Sequence, residues 1–302
     1  MADLAVIIVT WNVRDLVLQA IQTVLDDMES SNLNGQVYVV DSASHDDTVS
    51  AIRDHFPQVD LYASPDNLGF GRSNNHAIRR VMASSPRPKA VYLLNPDTIT
   101  QKGATRALYD ALLKQDHVGM VGAQLEYEDG SFQHGAFQFP GLKQLWVELF
   151  PTPGRLIESG FNGRYARQLY EQDQPFSVDC TLGATMMLKP EVIEQTGMFD
   201  EDFFMYCEEI DWAWRIKKAG WEIQSVPTSR IVHLSGQSTS QIRPQSLLNL
   251  WDSRIRLFKK HYPVWKFSIA QKMIARGMTI KQSQTDVPEL IETYQKIKEK
   301  VL

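Results

Sequence analysis

An α/β fold, a mostly parallel sheet flanked by helices and followed by a helical C-terminal extension, is predicted by three observations. Short apolar, β-branched runs alternate with helix-length amphipathic segments through the first 116 residues. Polar residues cluster where each apolar run stops, and helical spacing takes over from Pro244 to the end of the chain. Strand-helix alternation favours parallel strands covered on both faces, with ligands gathering outside their carboxyl ends.

Taken in order, Ala5 to Val9, Val37 to Val40, Val59 to Ala63 and Ala90 to Leu94 read as buried strands. Arg14 to Met28, Asp46 to His55 and Arg72 to Ala83 read as the helices between them. Beyond residue 116 the pattern turns to mixed strands, with Phe132 to Phe139 alternating and Thr181 to Leu188 following a polar, Gly- and Pro-containing excursion. Between them, Pro151, Pro153, Gly154, Gly160 and Gly163 interrupt residues 140 to 177, which predicts a long functional loop or lid rather than a core element. The expected division is a catalytic unit over 1–243, with halves meeting near 116/117, and the helical extension over 244–302.

Composition narrows the function. The 302 residues are 43% hydrophobic and 22% charged, ordinary for a globular chain, and a net charge of −5 argues against nucleic acid as a partner. Eight basic side chains against Asp252 alone give residues 252–281 a local +7, leaving −12 for the remainder. Arg254, Arg256, Lys259 and Lys260 interleave there with Phe258, Tyr262 and Trp265, which suits either a helix docking on anionic lipid or a solvated helix packed by its apolar face. Two cysteines without metal-type spacing fit a reducing compartment. With neither a basic leader nor an apolar run of spanning length, the expected location is the cytoplasm, or the periphery of the inner face of the cell membrane.

The strand ends supply the candidate chemistry. Thr10 and Asn12 follow the first strand, and Asp41 and Ser44 follow the second. Asp41 fits a nucleoside ligand and a local structural role equally, whereas Asp46 suits a helix cap. Asn67-Leu68-Gly69-Phe70-Gly71 is a loose phosphate-loop pattern or a plain turn. Asn95-Pro96-Asp97 sets a carboxylate outside a central strand, where a diphosphate and its cation would sit, although such tripeptides are commonly just turns. Further on, Glu208, Glu209 and Asp211 lie among bulky aromatics. They serve either as complements to a helix dipole or as carboxylates whose raised proton affinity suits base catalysis. His233 closes another apolar run, a place where histidine is more often structural than a ligand.

Jointly, Val9-Thr10-Trp11-Asn12, Val40 to Thr48, Asn67 to Gly71, Leu94 to Asp97, Phe204 to Asp211 and His233 resemble the family-2 inverting glycosyltransferases, above all their rhamnosyltransferase-like branch. The resemblance covers about residues 3–260. It implies the GT-A fold and transfer of a sugar, plausibly rhamnose from dTDP-rhamnose, to a saccharide or lipid-linked saccharide in surface polysaccharide synthesis. It also implies Thr10, Asn12, Asp41, Ser44, Asn67, Gly69, Asn95, Asp97 and Arg215 around the donor. Gly183, Ala184 and Trp212 fall around the acceptor, and Asp97 and His233 on Mg2+ or Mn2+. Asn95 replaces the first acid of the family's Asp-x-Asp motif, and Glu209 stands where an Asp base is usual, with Glu208 or Asp211 as alternatives. A nucleotidyltransferase and a catalytically decayed saccharide-binding scaffold are the competing readings.

Overall fold

The computed structural model describes residues 3–234 and 243–301. The chain opens β1 (Leu4–Thr10), α1 (Arg14–Ser30), β2 (Gly35–Ser42), α2 (Thr48–His55), β3 (Asp60–Ser64), α3 (Gly69–Met82) and β4 (Ala90–Leu94). These match the predicted alternation to within a few residues, because each strand is a short apolar run closed by a polar turn. There follow β5 (Thr98–Thr100), α4 (Ala104–Lys114), β6 (Val118–Glu126), β7 (Phe132–Gln133) and β8 (Ala136–Phe137). Next come α5 (Leu142–Leu149), α6 (Gly154–Ile157), α7 (Arg167–Glu171), β9 (Phe176–Ser177), β10 (Cys180–Thr181), β11 (Thr185–Leu188) and α8 (Pro190–Thr196). The chain closes with α9 (Glu208–Lys218), β12 (Glu222–His233), α10 (Arg243–His261), α11 (Val264–Ser283) and α12 (Pro288–Glu299).

The main sheet runs β3-β2-β1-β4-β11-β6-β12-β5. Pairings within β3-β2-β1-β4 and between β6 and β12 are parallel, while β11 is antiparallel to both β4 and β6, and β5 is antiparallel to β12. Both faces are covered. Along β1, Leu4, Val6 and Ile8 join the core beneath α1 and α4, while Ala5 and Ile7 join the one beneath α3, α8 and α9. That two-sided burial explains why β1 reads as a continuous apolar run rather than an alternating one.

Three expectations need correction. The alternating stretch Phe132 to Phe139 is not one strand: it breaks into β7 and β8 at His134-Gly135, where a Cβ on Gly135 would lie 2.7 Å from the Ala123 carbonyl oxygen. Thr181 to Leu188 likewise divides into β10 and β11, and the intervening Leu182-Gly183-Ala184 turns toward the strand ends. Residues 140–177 are not an open lid. Within them α5 places Leu142, Leu145 and Leu149 on one face, packed with Trp251, Phe258, Ile274, Met278 and Ile297 from α10 to α12. Leu149 meets α11 at Gly277, where a Cβ would fall 2.8 Å from the leucine Cβ.

The C-terminal helices grip the region around α9. Ser253 Oγ donates to the Met205 carbonyl oxygen at 2.8 Å, Arg254 pairs with Glu148, and Lys260 and His261 both reach Asp211.

Candidate active site

A cleft of about 390 Å3 opens at the carboxyl ends of β1 and β4, bounded on its far side by the Leu182-Gly183-Ala184 turn and the start of α9. The Asn95-Pro96-Asp97 turn is pinned at both ends. Asn95 N donates to the Ala184 carbonyl oxygen at 3.0 Å, and Leu234 N donates to the Asp97 carbonyl oxygen at 2.9 Å. Because β5 then pairs back onto the end of β12, with Thr98 opposite His233, the turn brings Asp97 beside His233. His233 Nε2 lies 3.5 Å from Asp97 Oδ1, and both side chains are nearly excluded from solvent.

This pair suits a divalent cation. Asp97 Oδ1 has no hydrogen-bond partner among the described residues, although it is buried. His233 Nδ1 stands 3.2 Å from Gln133 Oε1; a proton on Nδ1, donated to that oxygen, leaves the Nε2 lone pair facing the carboxylate. No group of three or more His, Cys, Asp or Glu side chains with metal-holding geometry occurs among the described residues. Two protein ligands leave most of an octahedral shell to substrate phosphates and water, which is how Mg2+ is usually held.

Glu209, half buried, also lines the cleft. Tyr206 and Cys207, at φ 71° and 65°, turn the chain sharply into α9, so that Glu208 and Glu209 arrive at the helix start facing the cavity. Burial pushes the Glu209 carboxyl up to about 7, against the opposing pull of backbone hydrogen bonds. Glu208 is more deeply buried, its Oε2 unpartnered among the described residues, and burial and then the neighbouring Glu209 raise it well above the carboxylate range. Gly183 stands against Glu209: a Cβ there would touch the glutamate Cβ and Cγ at 3.7 Å.

At the other end, Thr10 Oγ1 and Asp41 Oδ2 are buried without partners among the described residues, side by side on paired strands. Asp41 Oδ1 accepts from Ser44 N at 3.0 Å, so Asp41 shapes its turn with one oxygen and keeps the other free. Asn67 lines the cleft. Its Oδ1 accepts from Gly69 N at 3.0 Å, and Gly69 sits at φ 75°, where a Cβ would strike the Phe204 carbonyl oxygen at 2.4 Å. Phe70 N donates to that oxygen at 3.1 Å, tying the Asn67 loop to the segment leading into Glu208.

Six expected residues lie outside the cleft. Asn12 Oδ1 accepts from His45 N at 2.8 Å and Ser44 Oγ accepts from Asn12 N at 2.9 Å, a mutual brace between two loops. Asp211, Trp212 and Arg215 belong to the buried side of α9. Two residues on a helix turn about 200°, so Asp211 points away from Glu209. It accepts from His261 Nε2 at 2.7 Å, Lys260 Nζ at 2.8 Å and Arg215 Nε at 2.9 Å. Burial alone would raise its carboxyl, but the hydrogen bonds from His261 and Lys260 and the charge of Arg215 hold it at about 2. Arg215 also donates to the Thr196 and Met198 carbonyl oxygens, and Trp212, fully buried, donates from Nε1 to Thr196 Oγ1 at 2.9 Å. The sixth, Asp41, is buried beside Thr10 on the neighbouring strand. Tyr206 and Leu182, not anticipated, line the cleft together with Ser42, one of the polar residues expected there from its place at a strand end.

Residues 2–249 match the model of a glycosyltransferase-like family 2. The chain belongs to that glycosyltransferase family. An N-acetylglucosaminyl-diphospho-decaprenol L-rhamnosyltransferase of Mycobacterium tuberculosis is 28% identical over 211 residues, 68% of each chain. The rhamnosyltransferase WbbL of Escherichia coli K12 is 25% identical over 212 residues, 68% of this chain and 76% of its own. The hexosyltransferase Agl10 of low-salt glycan biosynthesis in Haloferax volcanii is 27% identical over 184 residues, 61% and 53%. Among solved structures, GalNAc-T7 with UDP, GalNAc and Mn2+ superposes with a TM-score of 0.64 at 14% identity. The match covers 98% of this glycosyltransferase but 54% of the GalNAc-T7 chain, and it shows a shared GT-A-like fold.

Proposed function

We propose that this glycosyltransferase is inverting and cation-assisted, moving a hexose, plausibly rhamnose from a dTDP donor, onto a saccharide or lipid-linked saccharide in surface polysaccharide synthesis. The observation that carries the reading is the opening of Asp97, His233 and Glu209 into one cleft. Two relatives named for rhamnose transfer support the choice of sugar.

In this reading Thr10 Oγ1 and Asp41 Oδ2 address the nucleoside, and Asn67 and Asn95 lie along the donor. Asp97 and His233 hold Mg2+ or Mn2+, which when bound supplies a Lewis acid for the departing diphosphate. The acceptor enters over Gly183 and Ala184, whose small size admits it beside Glu209. Glu209 takes the acceptor hydroxyl's proton as that oxygen bonds to the anomeric carbon. The bond to the diphosphate oxygen breaks with its electron pair, so a single displacement inverts the centre. Proton abstraction of this kind contributes about 10²- to 10⁴-fold. Glu208, whose carboxyl is raised by burial and by the neighbouring Glu209, is suited to hydrogen-bonding a sugar hydroxyl.

The test is a thermal-shift screen of nucleotide sugars with and without Mn2+, because a ligand that binds only the native state raises apparent stability. A Mn2+-dependent rise for one donor, lost in Asp97→Ala, is expected. No donor-dependent rise would contradict the reading, and binding without release of nucleoside diphosphate would favour the scaffold instead.

The membrane expectation narrows to one part of residues 252–281, joined by Trp146. Arg254, Arg256 and Lys260 are engaged with Glu148, Asp202 and Asp200, which favours the helix after α10 for lipid contact. The exposed face instead combines Val264 (81% exposed), Trp265 (63%), Trp146 (48%) and Ile269 (42%) beside an apolar groove edged by Lys272 and Arg276. Interfacial tryptophans with cations suit an anionic bilayer. No helix among the described residues is long and apolar enough to cross one. Salt-sensitive flotation with anionic but not neutral vesicles is expected, weakened in Trp146→Ala/Trp265→Ala; absence of flotation would remove this surface.

A further inference from the structure

Beyond Glu209 the cleft does not end. Glu209 and Leu182 form a wall shared with a second cavity of about 360 Å3, which runs under α5 to α10 and merges with a smaller one of about 190 Å3. Two features of this trough are left incomplete by the protein itself. Thr181 is 2% exposed, with its methyl turned onto Gly122, and its Oγ1 has no partner among the described residues. Arg164 has a buried Nε that likewise meets no acceptor, and no carboxylate pairs with its guanidinium among the described residues. The other cation of the trough, Arg254, differs in being neutralised by Glu148.

The position of Arg164 is built rather than incidental. Its backbone bridges to Phe137, Gln138 N donates to the Gly163 carbonyl oxygen at 2.9 Å, and its guanidinium lies 4.9 Å from the centre of the Phe137 ring. A buried cationic N–H without an acceptor is costly, and an anionic ligand oxygen would satisfy it. A guanidinium fork and a separate hydroxyl address three oxygens between them, more than a carboxylate carries but the number a phosphate offers.

We propose that this trough is an acceptor subsite in which Arg164 and Thr181 grip a phosphate carried by the acceptor, leaving the acceptor's sugar hydroxyl at the Glu209 end. The acceptor role rests on the transferase reading above; the phosphate site does not.

The experiment measures calorimetric binding of two probes, a hexose 1-phosphate and farnesyl diphosphate, to the full chain in excess EDTA. EDTA removes the cation that would draw phosphates into the Asp97 end. Wild type is expected to bind at least one probe, Arg164→Ala to weaken it about tenfold or more, Arg164→Lys to retain part, and Thr181→Val to weaken it less. Asp97→Ala should leave affinity unchanged. Binding of both probes marks a soluble sugar phosphate as sufficient, whereas binding of farnesyl diphosphate alone marks a lipid-linked source. Failure of both probes to bind wild type, equal affinity in Arg164→Ala, or loss in Asp97→Ala would overturn the proposal. Retained phosphate binding alongside a donor screen without any response would sink the transferase reading alone.

Discussion

In the proposed transfer, three side chains, Asp97, His233 and Glu209, divide the chemistry by environment. Asp97 and His233 face each other with no competing hydrogen bond on the Asp97 oxygen, so removing Asp97 should weaken diphosphate binding and slow transfer together. Unchanged donor affinity and full activity of Asp97→Ala, or full activity in chelator, would count against a cation there. Burial pushes the Glu209 carboxyl up to about 7, and in the proposed role it works only when ionised, so turnover should fall as pH drops through about 7. A flat profile across that value would assign the base elsewhere. The same shift has a stability consequence of opposite sense. A carboxyl whose folded pKa is raised favours the folded state below its unfolded value of about 4.3, and this contribution is lost as pH rises through about 7. Glu209→Gln should therefore flatten the stability loss on that rise, read from urea midpoints. Which acidic residue faces the cleft was not legible in the run Glu208 to Asp211. Adjacent letters carry no helix phase until the start of α9 is known, and that start is fixed by two left-handed residues, Tyr206 and Cys207, whose identities do not announce it.

At the scale of elements, the strands of the first half and the helices after Pro244 were readable because burial on both faces leaves unbroken apolar runs and helical packing leaves a periodic stripe. The insertion of antiparallel β11 between β4 and β6 was not, since an apolar run has no direction written in it. Helix α5 was hidden by its flanking prolines and glycines, although its leucine spacing was present. Two junctions follow from this architecture. Asp211 joins α9 to α10 through Lys260 and His261, and Asp211→Ala should cost roughly 3 kcal/mol by leaving buried donors unpaired. Since its carboxyl is held at about 2, its contribution is present above the unfolded value of about 3.9 and lost only as pH falls through about 2. A urea midpoint equal to wild type would show the junction to be energetically idle. Gly277→Ala should force α5 and α11 apart, costing about 1–3 kcal/mol; a neutral outcome would mean that Leu149 swings clear.

At the scale of the whole molecule, the fold collects strand ends from across the chain into one cleft. Asp97 and His233, far apart in sequence, meet because β5 doubles back on β12, while α10 to α12 hold the opposite wall by gripping α9 and α5. The family was legible from the joint order of the motifs, none of which is decisive alone. The trough beyond Glu209 was not, because it is made by Thr181, Arg164 and α5, residues unrelated by spacing. In the proposed function this convergence makes Glu209 the base of a sugar transfer whose donor binds independently of it. The most direct test is the rate of nucleoside diphosphate release by Glu209→Gln at saturating donor, with acceptor present. The expected result is a loss of about 10²- to 10⁴-fold with donor affinity retained; turnover near that of wild type would contradict the account.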